Sequence, residues 1–258
     1  GDTYSTHTVH EYAIINGEAR VVSSETGGNL MNPFSSVSDM ISGLEEALNS
    51  LSTMAQPEKE SFLKSIGLGN VAIVSLATAG ISTIVAWLQR ATTNVINCAV
   101  NVLYNILSSL RIQITKEEIA QRSLLVDILT GVITPDNAIG ELKLSMYSMI
   151  KAAESKGVVL KGANTTFDQL KNMGEAVIAH VGGDHYVVVT EVKDGNVKYI
   201  DNSEEVTSTM EEFNKIWSGK ILTLHPPADI TPLSAEELKA IRGADGFYWE
   251  PRRPANPK

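Results

Sequence analysis

A change in hydrophobic period along the chain most constrains its fold. Residues 38–54 carry apolar side chains at spacings of three and four, which is typical of an amphipathic helix. Residues 185–192 and 197–201 are instead short β-branched runs, which indicate strands. The Asp194-Gly195 dipeptide between them is a strong two-residue hairpin signal. Helices followed by hairpin-connected strands predict an α+β fold with an antiparallel sheet.

Composition shifts predict four segments. They are a polar N-terminal arm (1–36), a helical region with a hydrophobic helix (37–90), the α+β domain (91–226) and a C-terminal appendage (227–258). Within the arm, the Asn16-Gly17 dipeptide predicts a β-hairpin.

The helical region contains an uncharged, mostly apolar stretch from Ile66 to Gln89. Its length fits a membrane span of about 20 residues. Its many small residues suit close helix packing in a membrane or in a protein core, and Asn70 favours the core. Two interpretations remain: a buried helix, or membrane association through residues 67–88.

Composition excludes several classes of function. The net charge of -9 gives no electrostatic support for nucleic-acid binding. A single cysteine rules out an internal disulfide framework. The five histidines are scattered and no HExxH motif is present, so we expect neither a metal nor a cofactor. The sequence does not determine the cellular compartment, although it weakly favours a secreted or membrane-associated cell-envelope location.

Cys98 is the lone thiol, and it follows Asn97, a residue type that caps helices well. A thiol in the first turn of a helix experiences the positive end of the helix dipole, which favours the thiolate. The alternative is that Cys98 is a small buried hydrophobe, as many cysteines are.

Two further residues complete a catalytic pattern. His185 begins one predicted strand, and Asp201 ends the next. Strict pairing across the intervening turn would set Asp201 opposite Val188, so a bulge or a longer loop is needed to bring it to His185. Considered separately, His185 would be an ordinary histidine in a strand, and Asp201 would be an ordinary acidic residue in a turn. With a cysteine at a helix start, they form the layout of a cysteine peptidase.

Residues 92–226 resemble the papain-like bacteriocin-processing (double-glycine leader) peptidase domains and their peptidase-like relatives. The resemblance covers about half of the chain. It rests on the helix start NCAVNVL, the block AVIAHVGGDHYVVVTEVKDGNVKYIDNS and the ending EFNKIWSGKILTL. It implies a papain-like fold, in which the nucleophile helix packs on an antiparallel sheet. It also implies Cys98 as nucleophile, His185 as base and Asp201 as orienting acid, acting on a peptide.

The chain departs from the family pattern near the cysteine. The family usually has Asp before the cysteine, where this chain has Asn97. It also has an upstream glutamine that binds the oxyanion, and that position here is Thr92. The candidate replacement donors are Asn94 and Thr92. Losing one oxyanion donor costs about a hundredfold or more in rate.

Three functions therefore remain. The first is a cysteine peptidase, or a related amide-bond hydrolase, that uses a Cys-His-Asp triad. The second is a catalytically weak peptide-binding module on the same fold. The third is a membrane-associated cell-envelope protein with a peptidase-like domain.

Overall fold

A computed structural model describes residues 6–15, 18–28, 36–90, 97–137 and 142–243, the first two as backbone only. The helices in these residues are α1 Val37–Leu51, α2 Gln56–Ser65, α3 Thr78–Arg90, α4 Cys98–Ser109, α5 Lys116–Leu129, α6 Met146–Glu154, α7 Phe167–Lys171, α8 Met210–Ile216 and α9 Ala235–Ala240. The strands are β1 Thr6–Ile15, β2 Glu18–Gly28, β3 Leu144–Ser145, β4 Lys161–Asn164, β5 Val177–Val181, β6 His185–Lys193, β7 Asn196–Asp201, β8 Glu204–Thr209, β9 Trp217–Thr223, β10 Thr231–Pro232 and β11 Arg242–Gly243.

The main sheet is antiparallel and carries the strand order β10-β4-β9-β5-β6-β7-β8. Two smaller pairings accompany it. β1 and β2 form the predicted N-terminal hairpin, whose turn residues lie outside the described part of the chain. β11 pairs with β3 beside the main sheet. The predicted α+β architecture, with a helical N-terminal region, is confirmed.

Side-chain caps explain where several helices begin. The Thr-x-x-Glu pattern of residues 115–118 predicts a helix start. The Thr115 hydroxyl indeed accepts from the backbone N–H of Glu118 at the start of α5. The Ser36 hydroxyl accepts from the N–H of Asp39 at the start of α1. Each cap satisfies a backbone donor that has no partner within the helix.

The hydrophobic stretch differs from its prediction. A helix over residues 67–88 is wrong in its first half, because α3 begins only at Thr78. Gly67 and Gly69 adopt positive φ angles of 83° and 43°, which end the preceding helical turn. The chain then runs without regular structure over residues 71–77. None of the helices in the described residues combines the length and the apolar character that a membrane crossing requires.

The sheet separates two apolar clusters. The larger cluster packs the helices against one face of the sheet and includes Leu44, Leu103 and Val188. The smaller cluster covers the opposite face and includes Val187 and Phe213. Successive residues of β6 thus point to opposite sides, as the pleat of a strand requires. Helix α4 packs directly on β6 and belongs to the larger cluster.

Truncating Leu44 tests whether the N-terminal helices share this core. Its side chain is fully buried, so Leu44→Ala should lower the free energy of unfolding by about 2–5 kcal/mol in urea titrations. The matched control is Val159→Ala at a side chain that is 54% exposed, which should change it by at most about 0.5 kcal/mol. Equal effects of the two substitutions would show that α1 lies outside the cooperative core.

Candidate active site

Cys98 lies in the first turn of α4, on a helix start that Asn97 fixes from both sides. The Asn97 Oδ1 atom accepts from the backbone N–H groups of Ala99 at 3.0 Å and Val100 at 3.3 Å. Its Nδ2 atom donates to the Leu142 carbonyl at 3.3 Å. The predicted N-cap is confirmed. Cys98 itself is fully buried.

His185 and Asp201 form a close buried pair. The His185 Nε2 atom lies 2.7 Å from the Asp201 Oδ1 atom, and the two side chains are 0% and 6% exposed. Since a carboxylate can only accept, Nε2–H is the donor. In the neutral ring the hydrogen is therefore on Nε2 and not on Nδ1. The structure thus brings together two of the three residues that the sequence singles out.

A β-bulge makes this pairing possible. The register of β6 against β7 shifts between Val189 and Glu191, so that Val188 faces Ile200. One step further, this register sets Asp201 across from Val187. His185 and Val187 share a face because they are two residues apart in a strand. Without the bulge, Asp201 would lie on the opposite face, so the predicted need for a bulge is confirmed.

The start of α4 lies beside the strand ends that carry this pair. α4 packs on β6, the strand that begins with His185. One turn after Cys98, the Asn101 Nδ2 atom donates to the Asn202 Oδ1 atom at 3.1 Å, and Asn202 directly follows Asp201. Cys98 also adds, after burial, to the raised pKa of Tyr186, the residue after His185. The start of α4 therefore lies near the ends of β6 and β7 that carry His185 and Asp201.

The two predicted oxyanion candidates, Thr92 and Asn94, lie outside the described residues.

A buried carboxylate that the sequence analysis did not select lies close to the site. Asp127 of α5 accepts from the Ser145 N–H at 3.0 Å and from the hydroxyls of Ser145 and Ser148 at 2.6 and 3.0 Å. Burial raises the pKa of Asp127 to about 6, although these hydrogen bonds and the charge of Arg242 act in the other direction. The cluster joins α5 to the start of α6.

Tyr186 and His180 line the gap between β3 and the main sheet. The Tyr186 hydroxyl lies 3.1 Å from the carbonyl oxygens of both Leu144 and Ile241. Burial raises the pKa of Tyr186 well above its usual value, and nearby Cys98 adds to the effect. Burial lowers the pKa of His180, whose Nε2 atom lies 2.9 Å from the Arg242 carbonyl. The Tyr186 hydroxyl and the His180 imidazole are therefore uncharged hydrogen-bond donors at neutral pH.

The sequence held only a weak signal for these residues. Asp127 is an isolated acid among apolar neighbours in SLLVDIL, and a charge in such a run needs a buried partner. Tyr186 and His180 stand in strands, where their partners come from distant parts of the chain.

We find no metal-binding arrangement among the described side chains, since no three histidine, cysteine, aspartate or glutamate residues there cluster suitably.

Comparison with known proteins identifies the family resemblance. Residues 136–229 match the model of the Peptidase C39 family. The match contains His185 and Asp201 and begins downstream of Cys98. It confirms the predicted family resemblance for this part of the chain and supports a cysteine peptidase-like fold.

Two archaeal proteins are similar to the chain. An uncharacterised protein of Methanothermobacter thermautotrophicus is 25% identical over 134 residues, which are 52% of this chain and 84% of that protein. An uncharacterised protein of Methanothermobacter marburgensis is 30% identical over 86 residues, which are 33% of this chain and 61% of that protein.

Two crystal structures also resemble it. One is a double glycine motif protease from an AMS/PCAT transporter in complex with the leader peptide, with 23% identity, a TM-score of 0.38 and coverage of 54% of this chain and 86% of that one. The other is the N-terminal peptidase C39 like domain of the toxin secretion ATP-binding protein from Vibrio parahaemolyticus. It has 14% identity, a TM-score of 0.39 and coverage of 53% and 98%.

The buried Asp127 carboxyl predicts a distinct pH dependence of stability. Its folded pKa of about 6 exceeds the usual aspartate pKa of 3.8, so between these values the folded chain holds a proton that the unfolded chain has released. Its contribution therefore stabilises the fold as the pH falls through 6, and the carboxylate costs on the order of 3 kcal/mol above that pH. Urea titrations should show that Asp127→Asn has a more favourable effect on the free energy of unfolding, relative to the unsubstituted chain, at about pH 7 than at about pH 4.5.

The matched control is Asp136→Asn, which replaces an exposed carboxyl. It should show the same difference from the unsubstituted chain at both pH values. If Asp127→Asn behaves in the same way as this control, Asp127 is ionised throughout the range and the assignment is contradicted.

Proposed function

We propose that the protein is a cysteine peptidase, or a closely related amide-bond hydrolase, that acts on a peptide. The observation that carries the proposal is the 2.7 Å contact between His185 and Asp201, buried at the end of the sheet where α4 begins with Cys98. The C39 family match over residues 136–229 supports it.

In this mechanism His185 is the base and Asp201 its orienting acid. Because Nε2–H is held by Asp201, the second ring nitrogen, Nδ1, is the atom that exchanges protons with the thiol. Asp201 also stabilises the imidazolium that forms when His185 takes the Cys98 proton. Cys98 then becomes a thiolate in the first turn of α4, where the helix dipole favours negative charge.

The reaction proceeds through a thioester. The Cys98 Sγ atom attacks the peptide carbonyl carbon, and collapse of the tetrahedral intermediate breaks the C–N bond. The amine leaves with the proton that His185 carries. Water, activated by His185, then attacks the thioester, releases the carboxylic acid and returns the proton to the thiol.

The oxyanion of the intermediate needs donors near the helix start. The backbone N–H of Cys98 lies in the first turn of α4, where helix N–H groups point toward the N-terminal end. A side-chain donor would come from Asn94 or Thr92, the two candidates that the sequence offers just upstream. Such preorganised donors act on the charge that develops in the transition state.

One observation favours the second candidate function, a catalytically weak peptide-binding module. Cys98 and His185 are both fully buried, which limits the approach of a substrate in this conformation. A binding module would need only the groove beside these residues and would not depend on the thiol. The two functions therefore differ in whether Cys98 is required.

Substitution of Asp201 tests the triad. Asp201→Asn keeps the size of the side chain but removes the charge that stabilises the imidazolium, so kcat/KM for peptide hydrolysis should fall by about 10²–10⁴-fold. Cys98→Ala should abolish hydrolysis. The assay is release of new amino groups from a peptide library at neutral pH.

The matched control is Asp194→Asn, the same substitution at the exposed hairpin turn of the same two strands. Its φ of 53° is tolerated by asparagine, so activity should be unchanged. Hydrolysis that survives in Cys98→Ala would rule out the thiol mechanism. Peptide binding without hydrolysis, equal in the unsubstituted chain and Cys98→Ala, would establish the binding module instead.

A further inference from the structure

The segment 231–243, here called the C-terminal strap, runs across the molecule from the edge of the main sheet to the candidate site. It consists of β10, α9 and β11. The first of these elements pairs with β4, and the last pairs with β3. The strap therefore reaches from β4 in the main sheet to β3, the strand that leads into α6.

The middle of the strap is firmly anchored. Leu238 of α9 is buried over Gly162 of β4, where a Cβ atom built on the glycine would lie 2.4 Å from the leucine Cδ2 atom. A capping box between Ser234 and Glu237 begins α9. The Lys239 Nζ atom lies 5.0 Å from the centre of the Tyr147 ring on α6.

The end of the strap fills the gap between β3 and β6. The Ile241 carbonyl accepts from the Met146 N–H at 2.9 Å and lies 3.1 Å from the Tyr186 hydroxyl. The Arg242 carbonyl lies 2.9 Å from His180 Nε2. Gly243 lies so close to Tyr186 that an added Cβ atom would be 2.4 Å from the ring.

The residues around this gap are neighbours of the candidate site. In β11, Arg242 faces Ser145 and Gly243 faces Leu144, which lies two residues after Leu142. The Leu142 carbonyl is the acceptor for the Asn97 side chain, next to Cys98. The other wall of the gap is Tyr186, the neighbour of His185.

The strap binds as an extended peptide would bind. It adds a short antiparallel strand to β3, and its backbone carbonyls accept from His180, Tyr186 and the start of α6. Main-chain pairing to an exposed strand edge is a general mode of peptide recognition. The end of the strap thus occupies the edge of β3 that an added peptide strand would use.

We propose that the C-terminal strap is an intramolecular inhibitor, which occupies the peptide groove beside Cys98 and must leave before a peptide in trans can enter. The proposal rests on the function proposed above in placing the groove beside the nucleophile. Residues 224–230 join the strap to the end of β9, so the end of the strap can open while the main sheet stays intact.

Gly243→Val tests the proposal without changing Cys98, His185 or Asp201. A valine suits a strand, but its side chain cannot fit against the Tyr186 ring, so the end of the strap should open. Alkylation of Cys98 by iodoacetamide should then be faster than in the unsubstituted full-length chain by about tenfold or more. Hydrogen exchange of residues 241–243 should increase, while the exchange of β5 and β6 stays unchanged.

The matched control is Glu236→Val, which introduces the same residue on the same strap at a side chain that is 87% exposed. Its alkylation rate should equal that of the unsubstituted chain. Leu238→Ala, which removes the middle anchor, provides a second variant if Gly243→Val does not fold by circular dichroism. Its alkylation should also be faster.

The outcomes separate the strap from the peptidase. Equal alkylation rates in all the chains would overturn the inhibitory strap, and so would an equal increase in Glu236→Val. Faster alkylation of Gly243→Val with no peptide hydrolysis in any chain would support the strap and contradict the peptidase. Hydrolysis by the unsubstituted chain as fast as by Gly243→Val, with equal alkylation, would support the peptidase and overturn the strap.

Discussion

The packing of α4 on β6 is the contact on which the rest of the molecule depends. One side of β6 faces the helices and the other faces the smaller cluster, so the strand is buried on both sides over residues 185–189. Its first residue, His185, is therefore held by the core rather than by a loop. The helix that packs on it begins with Cys98. This packing places the helix that carries Cys98 against the strand that begins with His185.

The bulge in β6 is a second constraint, and it shows how a single residue decides which face of a sheet a side chain occupies. Thr190 is exposed and lies at the register shift. This extra residue shifts the pairing of β6 with β7 by one position beyond the bulge. The shift moves Asp201 onto the face of His185. The cost is one irregular position at the surface. The gain is a buried carboxylate–imidazole contact that regular pairing would not allow.

Local signals in the sequence predicted much of the fold. The caps at Asn97 and Thr115 and the hairpin at Asp194-Gly195 are confirmed, because each depends on neighbours in the chain. The hydrophobic stretch was predicted too long, since apolar composition does not distinguish a helix from a packed irregular segment such as residues 71–77. The roles of Cys98, His185 and Asp201 remain predictions.

The surroundings of the site could not be predicted, because they depend on contacts between distant segments. Asp127 meets Ser145 only through the packing of α5 on α6. The strands β10 and β11 have two residues each, which is too short to give an alternating pattern. Their pairing becomes visible only when β4 and β3 provide their edges.

The asparagine before Cys98 gains a physical explanation from its two contacts. Its oxygen caps α4, as an aspartate would, but its amide nitrogen also donates to the Leu142 carbonyl. An ionised carboxylate has no proton for that carbonyl and would face it with a second oxygen. It would also place a negative charge beside any thiolate at Cys98, whereas the neutral amide leaves the field of the helix N-terminus undiminished. Asn97 therefore combines a cap with a cross-chain clamp, and it adds no charge where the chemistry proposed for Cys98 would need a positive potential.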